Sequence, residues 1–183
     1  MGTAIHVELW CDDAACAESA LDAVMQEMHR IDASMSPYKE TSELSRVNRD
    51  AAREPVRVGD ELFELLERAL EFSRLSGGAF DITYAAAGHL YDYRRGVKPS
   101  EAELACARAA IGWRGLQLDR AARTVRFAKA GMRIDLGGFA KGYAVDNAGA
   151  ILARRGIRHA IEAVGARLTF FAMKKLRINH LRS

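Results

Sequence analysis

The segment between residues 133 and 146 holds the residues best suited to chemistry. It predicts a short buried strand that ends at Asp135, then the glycine pair Gly137 and Gly138, then the first turn of a helix with Lys141. Free backbone N–H groups and the positive end of a helix dipole attract phosphate at such a junction. The Asp135 carboxylate would suit a sugar hydroxyl, a ring N–H group or a metal ion. The segment therefore predicts a site for a nucleotide-like ligand.

A second interpretation of the same segment stays open. Its glycines do not form G-x-G-x-x-G, and Lys141 is followed by Gly142 rather than by the Ser or Thr of a P-loop. A tight strand-to-helix connection with a solvated lysine would have the same sequence. The motif alone does not decide between them.

A second acidic residue has apolar neighbours in the sequence. Asp81 stands between Phe80 and Ile82 in a piece, residues 79–83, that we expect to be extended. Burying a carboxylate without partners is costly. Asp81 is therefore either a functional group or the cap of a local turn, and the sequence leaves both open.

Strands and helices must position these residues. We expect strands at 3–10, 116–118, 124–127, 133–135 and 157–164, the second and third of them forming a hairpin. We expect helices after Asp13, from Ser42, over 60–75, from Ser100 to Gly112 and from the glycine pair to Gly156. Phe72 should face inward on the helix over 60–75. Pro37 should place Tyr38 on an exposed turn. Hairpins mixed with helix-separated strands favour an α+β fold over a doubly wound sheet.

Composition narrows the function classes. The chain has 183 residues, 49% of them apolar, and a formal net charge of +3. Acidic and basic residues are interspersed up to about residue 165, without the basic stripe typical of nucleic-acid binding. The cysteines Cys11, Cys16 and Cys106 lack zinc-like spacing, and we expect them to be small, buried or half-buried thiols. Without a signal peptide or membrane-spanning run, the chain as given is expected to be soluble and cytoplasmic.

Several separate motifs occur together in a recognisable order. They are residues 1–3, 36–38, 42–44 with Asn48, 78–83, 134–138, 141–143 and Asp146. Their order resembles the FAD:protein FMN transferases, the ApbE-type flavin transferases formerly called thiamine-biosynthesis lipoproteins. The resemblance implies an incomplete version of an α+β, T-fold-like architecture with a mixed or antiparallel sheet and packed helices.

The resemblance also implies an activity and a site. Members transfer the FMN half of FAD to a threonine or serine of a target protein, with magnesium, and release AMP. By matching motifs, FAD would contact Met1, Tyr38, Ala79, Phe80, Asp81, Asp135 and Lys141, and Gly138 would offer its carbonyl oxygen to Mg²⁺. The expected partners are FAD and an acceptor protein, with no nucleic acid. The resemblance assigns no catalytic residue.

The end of the chain departs from the family pattern. Residues 166–183 carry five Lys or Arg side chains and no acid. We therefore expect an incomplete flavin-transferase-like domain over residues 1–165, followed by a divergent basic tail over residues 166–183. The chain would then be truncated before the Asp and Thr/Ser side chains that complete the family's magnesium site. The alternatives to an active transferase are an FAD-binding module without turnover and an inactive fragment.

Overall fold

The computed structural model describes residues 5–92, 95–164 and 167–172. Its α-helices are α1 (Ala14–Met35), α2 (Glu43–Asp50), α3 (Asp60–Leu75), α4 (Ala85–Gly88), α5 (Glu101–Ala110) and α6 (Gly137–Arg154). Its strands are β1 (Ile5–Trp10), β2 (Val56–Arg57), β3 (Leu116–Asp119), β4 (Thr124–Phe127), β5 (His159–Val164) and β6 (Arg167–Ala172). Two compact units emerge: one is continuous over Ala33–Gly138, and the other combines the described residues on either side of it. We call them the central unit and the terminal unit.

The terminal unit contains an antiparallel sheet with the strand order β1-β5-β6. The register pairs Ile5 with Val164 and Trp10 with His159. Along β1, half-buried and exposed residues alternate, as the sequence pattern predicted. β6 pairs with β5, so residues 167–172, which follow the predicted boundary at 165, take part in this sheet. The predicted division of the chain at residue 165 stays a prediction.

Two helices supply apolar side chains to the terminal unit. On α1, Val24, Met28 and Ile31 are fully buried at helical spacing, as expected from the sequence. On α6, Ala144, Ala148 and Leu152 are buried in the same way. The amide of Asn147 on α6 donates to Glu27 on α1 at 2.7 Å, which ties the two helices together within this unit.

The central unit contains a second antiparallel sheet, with the order β2-β4-β3. Strands β3 and β4 form the predicted hairpin. Helix α3 has the predicted bounds and is followed by Gly77 and Gly78 at φ values of 62° and 93°. Only glycine adopts that backbone region without steric cost, which explains the glycine pair after the helix. The core of this unit includes Leu44, Val47, Phe63, Leu66, Val125 and Ile134, all fully buried.

The predicted helix caps of the central unit are confirmed. Ser42 accepts a hydrogen bond from the backbone N–H of Ser45 at the start of α2. Ser100 and Glu103 form a reciprocal capping box at the start of α5. Helix α5 ends at Ala110, two residues before the predicted end at Gly112.

Three local predictions were wrong. Residues 132–136 are not a strand, because the backbone groups of Ile134 bind the Asn48 side chain and the N–H of Asp135 donates to the Ile82 carbonyl, instead of binding a sheet neighbour. The piece at 79–83 is not simply extended, because Asp81 caps a 3₁₀ turn over Ile82–Tyr84. Phe72 faces outward with 47% of its surface exposed.

The cysteines also differ from expectation. Cys11 and Cys106 are exposed, and only Cys16 is half-buried. Cys11 lies in the turn between β1 and α1, and Cys106 lies on an exposed face of α5, so neither position is covered by a packed layer. All three are free thiols. Across the described residues, every helix is too short or too polar to cross a lipid bilayer.

Candidate functional site

The start of α6 is organised by Asp135. Its Oδ1 atom accepts a hydrogen bond from the backbone N–H of Gly137 at 2.6 Å. A Cβ atom on Gly137 would stand 3.1 Å from that oxygen, so the close approach favours glycine here. A Cβ atom on Gly138 would meet nothing within 4 Å, and Gly138 is exposed. The turn therefore has one amide that is bound by Asp135 and an open glycine directly after it.

The second oxygen of Asp135 is held more loosely. The Tyr84 hydroxyl donates to Oδ2 at 3.4 Å, a long distance for an O–H···O hydrogen bond. Tyr84 is itself half exposed. Asp135 Oδ2 is thus the side of this carboxylate that a ligand hydroxyl or N–H group would meet.

The backbone before Asp135 is fixed from two directions. Ile134 exchanges two hydrogen bonds with the side-chain amide of Asn48, at 2.7 and 2.9 Å. The N–H of Asp135 donates to the carbonyl of Ile82 at 3.1 Å. These bonds bring the 132–137 segment beside the 81–84 turn within the central unit.

Asp81 is fully engaged inside the protein. Its Oδ1 atom accepts from the backbone N–H and the hydroxyl of Thr83, at 2.8 and 2.6 Å. Its Oδ2 atom accepts from the backbone N–H of Trp113 at 2.9 Å, and Thr83 Oγ1 in turn accepts from Gly112 N. Of the two interpretations left open by the sequence, the cap is confirmed. The contact between Asp81 and a flavin stays a prediction.

Aromatic and apolar groups flank this turn. Phe80 is half-buried and meets Phe72 edge-on, with the ring centroids 6.3 Å apart. Ala79 is exposed beside it. This pairing accounts for the outward position of Phe72, since the ring finds its partner at the end of α3 and not in the core. Phe72 and Phe80 together form an aromatic wall that a flat ring system would suit.

Tyr38 lies on an exposed turn, as predicted. Its side chain is 83% exposed, which is unusual for a large aromatic residue. The turn itself is anchored: the carbonyl of the buried Ser36 accepts from the Ser42 hydroxyl at 2.7 Å, and the N–H of Tyr38 donates to Ser36 Oγ at 3.4 Å. A fixed backbone with a projecting ring suits stacking on a ligand.

Helix α2 connects the Tyr38 turn with the Asp135 segment. Ser42, at its N-terminus, binds the turn that carries Tyr38, and Asn48, near its C-terminus, binds Ile134. Six residues of α-helix rise about 9 Å. The candidate aromatic contact and the candidate phosphate contact are therefore held by the two ends of one short helix.

The predicted residues distribute unevenly over the structure. Tyr38, Ala79, Phe80, Asp81, Asp135 and Gly138 belong to the central unit. Lys141 lies on α6 within the terminal unit and is half-buried. Met1 lies outside the described residues. Sequence reasoning gave no role to Asn48, Tyr84 or Trp113; Asn48 was visible in a motif, but its partner lies 86 residues away along the chain.

The central unit also contains a cleft of about 840 Å³ between α3 and the β3 side of the hairpin. Arginine and glutamate side chains dominate its lining, among them Glu67, Arg74 and Arg114. Arg120 pairs with Glu67 at 3.0 Å, and the Arg114 guanidinium lies 4.4 Å from the centre of the Trp113 ring. None of the predicted site residues that the structure describes lines this cleft, but Trp113, whose N–H donates to Asp81, does.

Metal ligands are sparse in the same part of the molecule. Among the residues that the structure describes, no three His, Cys, Asp or Glu side chains form a group able to hold a metal ion. The Gly138 carbonyl, which the resemblance assigns to Mg²⁺, stays a prediction.

Comparison with known proteins identifies the family. The ApbE family matches residues 1–177 of the chain. The FAD:protein FMN transferase of Treponema pallidum is 30% identical over 182 residues, which cover 95% of this chain and 50% of that protein. The transferase of Haemophilus influenzae is 28% identical over 158 residues, covering 80% and 45%. The chain thus spans about half the length of these relatives.

Solved structures agree on the fold. The ApbE protein of Thermotoga maritima superposes with a TM-score of 0.83 at 28% identity, over 94% of this chain and 57% of that one. The flavin transferase ApbE of Vibrio cholerae gives 0.84 at 24% identity, over 95% and 57%, and supports the fold alone. The predicted α+β class, with antiparallel sheets and packed helices, is confirmed. On the family match, the relatives and the fold together, this chain belongs to the ApbE family.

Proposed function

We propose that this chain binds FAD and acts as an FAD:protein FMN transferase. Such an enzyme attaches FMN through a phosphoester to a threonine or serine of an acceptor protein. The observation that carries the proposal is the start of α6, where Asp135 caps Gly137 and leaves Gly138 exposed and open. An exposed glycine at the N-terminus of an 18-residue helix favours a phosphate group. The relatives matched over most of this chain are named for that reaction.

The residues divide between the two ends of FAD in this proposal. Tyr38 and the Phe72–Phe80 wall offer aromatic surface for the flavin ring. The Gly138 turn meets the pyrophosphate, and Lys141, one turn further along α6, adds positive charge on that helix. Asp135 Oδ2 accepts from a hydroxyl or ring N–H of the ligand. Met1 stays a proposed contact on the strength of the motif alone.

The proposed reaction is an in-line phosphoryl exchange. The acceptor hydroxyl oxygen forms a bond to the phosphorus of the FMN half, and the bond from that phosphorus to the bridging oxygen breaks. AMP leaves with the bridging oxygen, and one proton is released. The protein's contribution would be to hold the pyrophosphate in line with the hydroxyl.

Magnesium dependence is also part of the proposal. A divalent ion neutralises charge on a pyrophosphate during such an exchange. The described residues contain no three-acid group for the ion, so they do not by themselves fit a magnesium site, and we derive no step through it. We propose that Mg²⁺ binds this chain mainly as a complex with FAD.

A second candidate function is an FAD-binding module without turnover. It is suggested by the described residues, which offer aromatic surface and an exposed glycine turn to FAD but no group of three His, Cys, Asp or Glu side chains to a metal ion. Binding without positioning of the reacting groups gives affinity without rate.

Two assays separate these functions. AMP release from FAD, and in-gel fluorescence of a threonine-containing acceptor protein, both with Mg²⁺, should show turnover if the chain is a transferase. A flavin fluorescence titration should show FAD binding for either function. Binding without AMP or labelled acceptor would favour the module, and no FAD binding at all would contradict both.

A further inference from the structure

The side chain of Asn48 takes the place of a neighbouring strand. Its Oδ1 atom accepts from Ile134 N at 2.7 Å, and its Nδ2 atom donates to Ile134 O at 2.9 Å. Both distances are those of well-formed hydrogen bonds. Ile134 is fully buried, so its backbone groups need partners, and the amide of Asn48 satisfies both of them.

The Ile134 backbone is the base of the candidate ligand turn. The next residue, Asp135, donates its N–H to Ile82 and uses Oδ1 to cap Gly137. Residues 132–136 belong to no sheet, so ladder hydrogen bonds do not fix their direction. The orientation of Asp135 Oδ2 and of the exposed Gly138 thus depends on individual hydrogen bonds at Ile134, Asp135 and Gly137. Along the chain, the two bonds between Ile134 and Asn48 are the first of these.

We propose that Asn48 is a positioning residue for ligand binding: its amide fixes the Ile134 backbone and so aims Asp135 and the Gly138 turn at the ligand. The inference rests on the proposed FAD-binding function. Asn48 does not touch the ligand in this account. It acts from α2, the same helix whose N-terminal Ser42 holds the turn that carries Tyr38.

The same helix supplies a matched control. Glu43, in the first turn of α2, accepts from the backbone N–H of Gly59 at 2.8 Å. This bond also ties α2 to a neighbouring backbone segment, and Glu43 is half-buried like Asn48. Gly59 precedes α3 and belongs to neither the Tyr38 turn nor the Asp135 segment. A purely structural role for Asn48 would make Asn48→Ala and Glu43→Ala behave alike.

The experiment compares the full chain with Asn48→Ala and Glu43→Ala by two measurements. Hydrogen–deuterium exchange without ligand reports on the order of residues 132–138. Titration with FAD, followed by flavin fluorescence well below the unfolding temperature, reports on affinity. We expect Asn48→Ala to raise exchange in 132–138 and to weaken FAD binding about tenfold, a loss of about 1.4 kcal/mol. Glu43→Ala should leave both unchanged.

Asn48→Asp sharpens the comparison and replaces Asn48→Ala if that variant does not fold. The aspartate retains an acceptor for Ile134 N–H but loses the donor to Ile134 O. We expect an intermediate rise in exchange and an intermediate loss of FAD affinity.

Three results would overturn the inference. Unchanged exchange in 132–138 would show that Asn48 does not order the segment. Raised exchange with unchanged FAD affinity would leave Asn48 a structural residue only, and equal losses in Asn48→Ala and Glu43→Ala would mean a general effect of α2. Absence of FAD binding by the unaltered chain would instead refute the proposed function and the ligand part of this inference with it, while the exchange data would still decide whether Asn48 orders the segment.

Discussion

Two aspartates of the central unit cap turns in the same way but differ in what remains available. Asp81 uses Oδ1 for Thr83 and Oδ2 for the backbone of Trp113. Asp135 uses Oδ1 for Gly137 at 2.6 Å, whereas its Oδ2 has a long contact of 3.4 Å with the half-exposed Tyr84. A carboxylate with both oxygens bound inside the protein serves the fold. One with an oxygen held loosely beside an open glycine turn can also serve a ligand.

The largest effect expected from this comparison is the loss of stability in Asp81→Ala. The change leaves the N–H groups of Thr83 and Trp113 without their acceptor and separates the 81–84 turn from residues 112–113. Unpaired, partly buried donors cost about 1–3 kcal/mol each. We expect the free energy of unfolding, measured by urea denaturation, to fall by about 2–3 kcal/mol.

Asp81→Asn is the graded control for that prediction. The amide retains an acceptor for Thr83, so the free energy of unfolding should fall less than in Asp81→Ala. Part of the loss should remain, because the amide also brings an N–H group towards the N–H of Trp113. Equal stability of the unaltered chain and Asp81→Ala would contradict the view that Asp81 serves the fold.

A smaller effect, on affinity and not on stability, is expected at Tyr38. The ring is 83% exposed, so Tyr38→Ala should change the free energy of unfolding by less than about 0.5 kcal/mol. Loss of aromatic stacking should weaken FAD binding by about 1 kcal/mol, or roughly fivefold. Calorimetric titration with FAD measures the change, and Tyr38→Phe, which retains the ring, should bind like the unaltered chain. A fall in affinity of the same size in Tyr38→Phe would assign the effect to the hydroxyl instead.

The smallest expected effect lies in the terminal unit, to which neither aspartate belongs. Hydrogen bonds from Arg30 and then from Asn147 hold the pKa of Glu27 below its ordinary value of 4.5. Because the folded pKa is the lower one, this stabilisation is present above pH 4.5 and is lost as the pH falls through the folded pKa.

Glu27→Gln should therefore narrow the stability difference between pH 7 and pH 3 slightly and leave FAD affinity unchanged. Thermal unfolding of both proteins across that pH range measures the stability difference. A change in FAD affinity in Glu27→Gln would contradict the view that Glu27 serves only the fold.

Sequence patterns predicted the elements whose signals are local. Helix α3 has an apolar stripe and a glycine pair at its end, the capping box of Ser100 and Glu103 lies within four residues, and the β3–β4 hairpin has alternating strands. The strand predicted at 133–135 failed because a segment of three residues with one buried side chain fits an irregular extended segment as well as a strand. Its partner is a side chain on α2, and such pairing has no period in the sequence.

The candidate site was predictable by residue type but not by contact. Asp135, the glycine pair and the exposed Tyr38 followed from the motifs. The hydrogen bonds to both Asp81 oxygens could not be predicted from the motifs, because Trp113 lies 32 residues away along the chain. The outward position of Phe72 was missed for a related reason: helical spacing predicted burial, whereas its ring pairs with Phe80 beyond the end of the helix.

The central claim is that the Asp135 side chain binds the ligand, whereas both side-chain oxygens of Asp81 are used inside the protein and leave only its backbone for the predicted flavin contact. A matched titration tests it most directly. FAD is titrated into the unaltered chain, Asp135→Ala and Asp81→Asn, with the folded fraction of each determined beforehand by denaturation. We predict that Asp135→Ala loses about 1 kcal/mol of stability as a lost helix cap and at least tenfold in FAD affinity, whereas folded Asp81→Asn binds FAD as the unaltered chain does. Unchanged FAD affinity in Asp135→Ala, together with a large fall in stability, would contradict the claim and leave Asp135 as a structural cap.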